Sequence, residues 1–486
     1  MENNSNRRNF LKLFGITTAG IISHKKSNIL KEKNIIVLNE TFNQYDEQVF
    51  NMCGYAAPKT GIVRVGFIGL GNRGPEHLRQ LVRIDGVAIN ALCDLRMERV
   101  EFAKQLLENT SHKPKVYTGD VNNWKRLCEQ SDIDLIYIAT SWDLHVPMAL
   151  YAMQQGKHVA IEVPAAKTID QCWQLVNTSE KTKKHCVLLE NCCYDFFELL
   201  TLNMARQGFL GEIIHCEGAY LHYLLQGNFA KNKYWDMWRL KENATRNGNL
   251  YPTHGLGPIS QIMNLNRGDK MEYLVSMSSN DFMMKELANK LAKKDSYYDK
   301  YQNKNFRGNI NTSIIRTHKG KTIMIQHDVS SPRAYSRIHL ISGTKACAQK
   351  YPLPGKIALA QNWELPEDWE KTPLPEWIDQ KEMELLEEKY KPEIVKKLGV
   401  FAKEVGGHGG MDFLINWRLI DCLRNGLPVD IDVYDTALWS ALGPLSEASV
   451  LHKSSPINVP DFTRGSWSSN KPIDISLQNG GTTKVL

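Results

Sequence analysis

Short apolar runs punctuate the chain from Val63 to about Glu190, separated by segments whose apolar residues recur at helical spacing. The runs are Val63 to Ile68, Val87 to Cys93, Leu135 to Thr140, Val159 to Glu162 and Cys186 to Glu190. Runs that are apolar throughout suit strands buried on both faces, and their alternation with helices is the pattern of a doubly wound parallel sheet. After Asn191 the texture changes. One helix-like segment reaches about Gln207, and then Ile213 to Tyr220, Tyr273 to Met277, Ser313 to Thr317, Thr322 to His327 and Ile338 to Ser342 alternate at period two. These predict an open, mostly antiparallel sheet. Helical patterns return in Gln380 to Lys397 and Met411 to Asn425, and the tail after Pro456, rich in Ser, Asn, Gly and Pro, either wraps the surface or frays. The predicted fold class is therefore α/β, with an N-terminal Rossmann doubly wound parallel sheet over residues 61–190. A C-terminal α+β domain with the open sheet follows over 191–455, an arm precedes over 34–60, and a tail occupies 456–486.

A chain of 486 residues suits two domains with appendages. The formal charge of +7 invites a nucleic-acid reading, but residues 1–33 carry seven Lys/Arg against two Glu, which accounts for +5 of it. The body is then near neutral, and no nucleic-acid partner is expected. The basic start, Arg7-Arg8-Asn9-Phe10-Leu11-Lys12 followed by the apolar run Leu13 to Ser23, resembles a twin-arginine export signal and predicts a periplasmic protein. An ordinary amphipathic first helix is the alternative and leaves the protein cytoplasmic. Either way the run is too short for an integral membrane span. The ten cysteines show no C-x-x-C pairing and read as small buried hydrophobes.

The strand Val63 to Ile68 opens directly into Gly69-Leu70-Gly71-Asn72-Arg73-Gly74, and Asp94 follows at the end of the next strand. In this fingerprint Gly69 allows the tight turn, Gly71 lets backbone approach a pyrophosphate, and Gly74 lets the helix lie close to the strand. The phosphates meet the N–H groups of the helix start, and Asp94 accepts from a ribose 2′-hydroxyl. The pattern predicts a dinucleotide, and Asp94 favours NAD. Ligands of open α/β sheets lie beyond the carboxyl ends of the strands, which selects Trp142, Asp143, Leu144 and His145, then Glu162 and Val163, and finally Asn191. His145 either caps its turn or touches the cofactor.

The segment Met52 to Pro58, the fingerprint continuing into Pro75, and the phrases Trp238-Arg239, Tyr251-Pro252-Thr253-His254 and Gly406-Gly407-His408-Gly409-Gly410-Met411-Asp412 resemble glycoside hydrolase family 109. That family is an NAD-dependent α-N-acetylgalactosaminidase branch of the Gfo/Idh/MocA oxidoreductase superfamily. The resemblance implies oxidation at C3 of the sugar, elimination, water addition and re-reduction, with retention of configuration. Such NAD-dependent glycosidases dispense with the usual pair of carboxylates. Dehydrogenases of the superfamily carry E-K-P, whose lysine moves a proton, whereas this chain has Glu162-Val163-Pro164. Valine cannot exchange a proton, so another residue must serve. An NAD-dependent sugar or inositol dehydrogenase is the alternative function.

By the resemblance, Asn72, Arg73, Asp94, Trp142 to His145, Glu162, Val163 and Asn191 line the NAD site, while Tyr220, Arg239, Tyr251, Pro252, Thr253, His254 and Tyr335 hold a glycan or smaller sugar. His254 is the expected base at the C3 hydroxyl, because imidazole takes and returns a proton near neutral pH. Tyr251 or Tyr220 is the expected base at C2, and Arg239 a clamp on polar oxygens. His408 is either a further substrate contact or part of a glycine turn. Trp235 and Trp238 either wall the sugar or pack the core. The open sheet offers a face for a homo-oligomer.

Overall fold

The computed structural model describes residues 47–360 and 374–486. The arginine-pair segment and the expected arm as far as residue 46 lie outside the described residues.

Six strands form the first sheet: β1 (Val63–Ile68), β2 (Val87–Cys93), β3 (Lys115–Tyr117), β4 (Leu135–Ile138), β5 (His158–Ile161) and β6 (Cys186–Leu188). All neighbours are parallel, in the order β3-β2-β1-β4-β5-β6. Strand order reverses at β1 and β4, and a crevice opens beyond their carboxyl ends at this switch point. β1 is buried apart from Arg64, whose guanidinium pairs with Asp134 at 2.6 Å. Three helices that bear on the crevice are α1 (Arg73–Leu81) after β1, α2 (Trp142–Gln154) after β4 and α3 (Ile169–Thr182) after β5.

The second sheet holds β7 (Ile213–Leu221), β8 (Met271–Ser278), β9 (Ile310–Thr317), β10 (Thr322–Asp328), β11 (Leu340–Gly343), β12 (Ala346–Gln349), β13 (Lys356–Leu359) and β14 (Ile457–Asn458). Its order is β13-β12-β11-β7-β10-β9-β8-β14, with β7 and β10 parallel and the other neighbours antiparallel. Its accompanying helices include α4 (Phe196–Arg206), α5 (Trp238–Thr245), α6 (Thr253–Ile262), α7 (Gln380–Tyr390), α8 (Glu393–Val405), α9 (Met411–Asn425) and α10 (Val433–Leu451).

Four details depart from the sequence expectation. The helix expected from Asn191 starts at Phe196, because Asp195 caps it by accepting from the Phe197 N–H. β11 starts at Leu340 because Ile338 and His339 hold φ of 59° and 50°, outside the extended region. The stretch Gln380 to Lys397 splits into α7 and α8 at Pro392, which cannot continue a helical ladder. Helix α10 carries no amphipathic stripe because it is buried on nearly every side, packed against α3, β6 and β8 between the two sheets. Its Trp439 is fully buried, and truncation to Ala would cost about 3–5 kcal/mol.

The tail wraps rather than frays. β14 pairs with β8, Phe462 packs on Trp173 with centroids 4.8 Å apart, Val485 bridges Ile84, and the Trp417 indole donates to the Thr483 carbonyl at 3.1 Å. Helix α9 packs on α1 and β1, where Asn416 accepts from the Tyr137 hydroxyl at 3.0 Å and donates to Gln80 at 2.6 Å. The ten cysteines are all free and eight are buried.

Candidate active site

The three glycines of the fingerprint meet three different surroundings. A Cβ on Gly69, at φ +93°, would stand 2.5 Å from the Ala139 carbonyl oxygen, and one on Gly74 would stand 2.1 Å from the Gly69 carbonyl oxygen. Both positions are closed by backbone. A Cβ on Gly71 would meet no atom within 4 Å. That open face beside the start of α1 is the space a pyrophosphate needs, so the residues present fit a dinucleotide. Asp94, at the end of β2, accepts from the Leu70 N–H at 2.8 Å and the Arg96 N–H at 3.0 Å, and Arg99 donates to the Leu70 carbonyl at 2.8 Å. The loop is thereby held from both sides.

An ionic network runs along the floor of the crevice. Arg73 pairs with Glu162 at 2.8 Å and Asp412 at 2.9 Å, and also with Glu76. Glu162 receives His77 Nε2 at 2.8 Å. Asp412, fully buried at the start of α9, receives His408 Nδ1 at 2.7 Å and the Asn191 amide. Burial alone would raise both carboxyls, but the surrounding donors hold Glu162 and Asp412 well below the usual range. Arg73, Glu162 and Asn191 thus occupy one connected site. His408 is half-exposed in a turn whose glycines 406, 407, 409 and 410 all have positive φ, and Asp412 raises its pKa. Through Asp412 it belongs with Arg73 rather than with the aromatic cluster.

The residues after β4 play several parts. Trp142 is buried and its indole donates to the Val163 carbonyl at 3.1 Å. Val163 is buried too, beside the cis Val163–Pro164 bond. Leu144 is exposed, and Asp143 pairs with Lys167 at 2.6 Å. His145 is buried with Nδ1 at 2.9 Å from the Pro164 carbonyl and Nε2 at 3.1 Å from the Thr140 carbonyl. Both ring nitrogens face carbonyl oxygens of the neighbouring turns, the position that the turn-fastening reading describes.

Beyond β6 the sugar-side residues gather. His254, in the first turn of α6, presents Nδ1 to Glu190 Oε1 at 2.7 Å. A carboxylate accepts, so this bond assigns the ring hydrogen to Nδ1. Nε2 has no hydrogen-bond partner among the described residues. Burial opposes the Glu190 charge, but His254 holds its carboxyl below the usual range. Tyr220 and Tyr251 stack at 4.7 Å, and their rings lie 5.0 and 4.9 Å from His254. Tyr220 places its hydroxyl 2.8 Å from His222 Nδ1, and Tyr335 stands edge-on to His222 at 5.1 Å. The Arg239 guanidinium lies 5.2 Å from the Tyr251 ring and 5.8 Å from that of Trp142. Burial pushes the Tyr220 phenol up to about 12 against the pull of Arg239, and burial with Arg239 pushes His222 down to about 4.

Glycines set this geometry. A Cβ on Gly218 would stand 2.6 Å from the Gly255 carbonyl oxygen, and one on Gly255 would stand 2.3 Å from the Ala219 nitrogen. Helix α6 therefore rests directly on β7, which brings His254 beside Tyr220. A Cβ on Gly257 would stand 2.9 Å from Glu190 Cγ, so the same helix closes on the carboxylate. Thr253 is buried under His254, and Pro252 precedes the helix.

Glu190, His222 and Asp412 were not among the residues expected from the sequence. Glu190 was legible as a polar ending of a β6-type strand, and His222 lies two residues after Tyr220; Asp412 closes the glycine phrase. Trp238 meets Trp142 edge-on at 5.0 Å, while Trp235 is exposed against Arg96, neither in the core nor beside the tyrosines.

The family profile described as "Oxidoreductase family, NAD-binding Rossmann fold" matches residues 63–189, and the one described as "Glycosyl hydrolase 109, C-terminal domain" matches residues 194–469. An alpha-N-acetylgalactosaminidase of Bacteroides fragilis is 48% identical over 421 residues, covering 86% of this chain and 96% of that protein. Glycosyl hydrolase family 109 protein 1 of Bacteroides thetaiotaomicron is 47% identical over 418 residues, covering 84% of this chain and 86% of its own. Among solved structures, a levoglucosan dehydrogenase with NADH and L-sorbose has a TM-score of 0.59 at 15% identity, covering 82% of this chain and 100% of that one. A scyllo-inositol dehydrogenase of Lactobacillus casei with NAD(H) and scyllo-inositol has a TM-score of 0.55 at 13% identity, covering 82% and 99%. At these identities the two dehydrogenases share the fold.

Proposed function

This chain belongs to glycoside hydrolase family 109 and is an NAD-dependent glycoside hydrolase, and from that premise we propose that it releases terminal α-linked N-acetylgalactosamine through proton transfers at C3 and C2. Held at the glycine loop by Arg73 and Asp94, NAD would supply reversible hydride transfer at C3. The observation that carries the reading is the Glu190–His254 pair at 2.7 Å. It supplies the proton acceptor that Val163 cannot.

His254 Nε2 takes the proton of the C3 hydroxyl, and Glu190 steadies the imidazolium that results. A ketone at C3 acidifies the C2 proton, and Tyr220 takes it as the phenolate, its own hydroxyl proton having passed to His222 Nδ1. Tyr220 is favoured over Tyr251 because its hydroxyl alone of the two has a histidine partner, His222 at 2.8 Å. Arg239 lowers the cost of the phenolate by its charge. Loss of the aglycone from C1 and addition of water complete hydrolysis with no net redox. Tyr251, Tyr335 and Arg239 supply stacking and polar contacts to the sugar, and Asn72, Arg73, Asp94, Trp142, Glu162 and Asn191 form the cofactor side.

The test is p-nitrophenyl α-N-acetylgalactosaminide supplied without added NAD. Steady aglycone release with no NADH accumulation is expected; stoichiometric NADH with no aglycone points instead to a sugar dehydrogenase. Among the described residues no helix is long and apolar enough to cross a membrane. We assign the Arg7–Lys12 segment to export, to be checked by loss of periplasmic enzyme in an Arg7→Lys, Arg8→Lys variant. The exposed Met277 and Ile314 on neighbouring strands β8 and β9 favour pairing with a second copy, which light scattering will read.

A further inference from the structure

One segment of the second half, residues 231–239, crosses from the glycine loop to the aromatic cluster. At its outer end the Asn72 side chain, directly after Gly71, donates to the Lys233 carbonyl at 2.8 Å. Next, the Arg96 guanidinium lies 4.4 Å from the Trp235 ring centre, and Arg96 also stands 3.7 Å from the Asp94 carboxylate. At its inner end Trp238 meets Trp142 at 5.0 Å, and Arg239 reaches Tyr251. The segment therefore touches the residue beside the open pyrophosphate face, the neighbour of the ribose-binding acid, and the sugar cluster.

Its composition is odd for a purely structural connection. Trp235 is 60% exposed, although indoles usually bury most of their surface. Asp236 and Met237 both hold the left-handed conformation, at φ 52° and 47°, which non-glycine residues seldom adopt. Those two residues turn the chain so that Trp235 stays outside over Arg96 while Met237 is buried. A strained turn between an exposed aromatic and a buried anchor is how a short segment can be held across an opening.

We propose that residues 231–239 form a strap over the bound dinucleotide, with Trp235 on Arg96 and Lys233 on Asn72 as its clasps, and that opening of these clasps limits cofactor release. The inference rests on the glycosidase reading in one respect. An enzyme that lends a hydride and recovers it must keep its cofactor throughout, because escape of the reduced form strands the sugar as a ketone. Both clasps are individually weak: an exposed cation–π contact and one neutral hydrogen bond. They can slow departure without making the site unloadable.

The experiment follows exchange of bound NAD against excess radiolabelled NAD in the purified holoenzyme, by rapid gel filtration and with no sugar present. Trp235→Ala is expected to speed exchange tenfold or more, Trp235→Phe to restore most of the retention through its ring, and Asn72→Ala to speed exchange as well. On dilution, Trp235→Ala should lose bound NAD while wild type keeps it. Exchange at the wild-type rate in Trp235→Ala, with melting unchanged, overturns the strap. Because the readout is cofactor exchange alone, failure to cleave any glycoside would overturn the proposed reaction and leave this result standing.

Discussion

Glu190 Oε1 stands 2.7 Å from His254 Nδ1, so the end of β6 and the first turn of α6 are joined by one charge-assisted hydrogen bond. Glu190 lies one residue past the 63–189 match and His254 lies within the 194–469 match, so the pair ties the boundary between the halves to the second of them. The pair fixes both the tautomer of the imidazole and its orientation.

Glu190→Gln removes the charge and offers an amide that can donate, which favours the wrong tautomer of His254. A fall in kcat of roughly 10²–10⁴-fold is expected, with NAD still bound. Turnover and cofactor absorbance of the purified variant check this, and a kcat within twofold of wild type would remove the pair from the chemistry.

The two stacked tyrosines are separable by isotope exchange. In deuterated water, Tyr220→Phe is expected to abolish exchange of the sugar C2 hydrogen while Tyr251→Phe retains it and weakens binding. His222→Gln should slow exchange and shift its pH profile. Equal exchange in both tyrosine variants would overturn the assignment.

The fingerprint glycines should respond differently to one added methyl group. Gly71→Ala points its Cβ into open space, so it is expected to melt like wild type but to bind NAD at least tenfold more weakly. Gly74→Ala forces its Cβ against the Gly69 carbonyl oxygen and is expected to cost about 1–3 kcal/mol in stability. Parallel melting curves and NAD titrations distinguish the two.

Acid should destabilise the fold in a defined window. Burial pushes His185 and His339 down to about 4, against an unfolded value near 6.5. Between those values the unfolded chain binds more protons, so stability falls as pH drops from about 6.5 to about 4. Below that, Glu190 and Asp412, whose carboxyls are depressed in the folded state, continue the loss. Melting temperature measured across this range should decline steadily, and a flat profile would contradict the burial assigned to these groups.

Five of the six parallel strands were legible because they are largely apolar, and the glycine spacing carried the cofactor loop with it; β3, Lys115–Tyr117, escaped because it is three residues long and mostly exposed. What escaped was structure that runs against periodicity. Helix α10 is apolar on all sides, although Asp432 and Asp435 form a capping box that marks its start. Helix α6 contains Gly255, Gly257 and Pro258, poor helix formers kept for close packing on β7 and Glu190. His254 was recognisable from its phrase, but its partner lies 64 residues away, and no local pattern links the two. Asp412 likewise gains its meaning only when α9 meets Arg73.

Helix α9 inserts Asn416 among Tyr137, His77 and Gln80, and residues 483–486 lie along the chain between Arg83 and Asp85. The dinucleotide-binding half is thus not a transplantable cassette. A chimera that moves residues 61–190 alone would uncover the side of α1 that α9 covers and leave Asn416's polar partners unpaired. Exchange between relatives would have to carry residues 411–425 and 483–486 along with it, so new specificities in this architecture are more easily reached by altering the loops that face the crevice than by swapping whole halves.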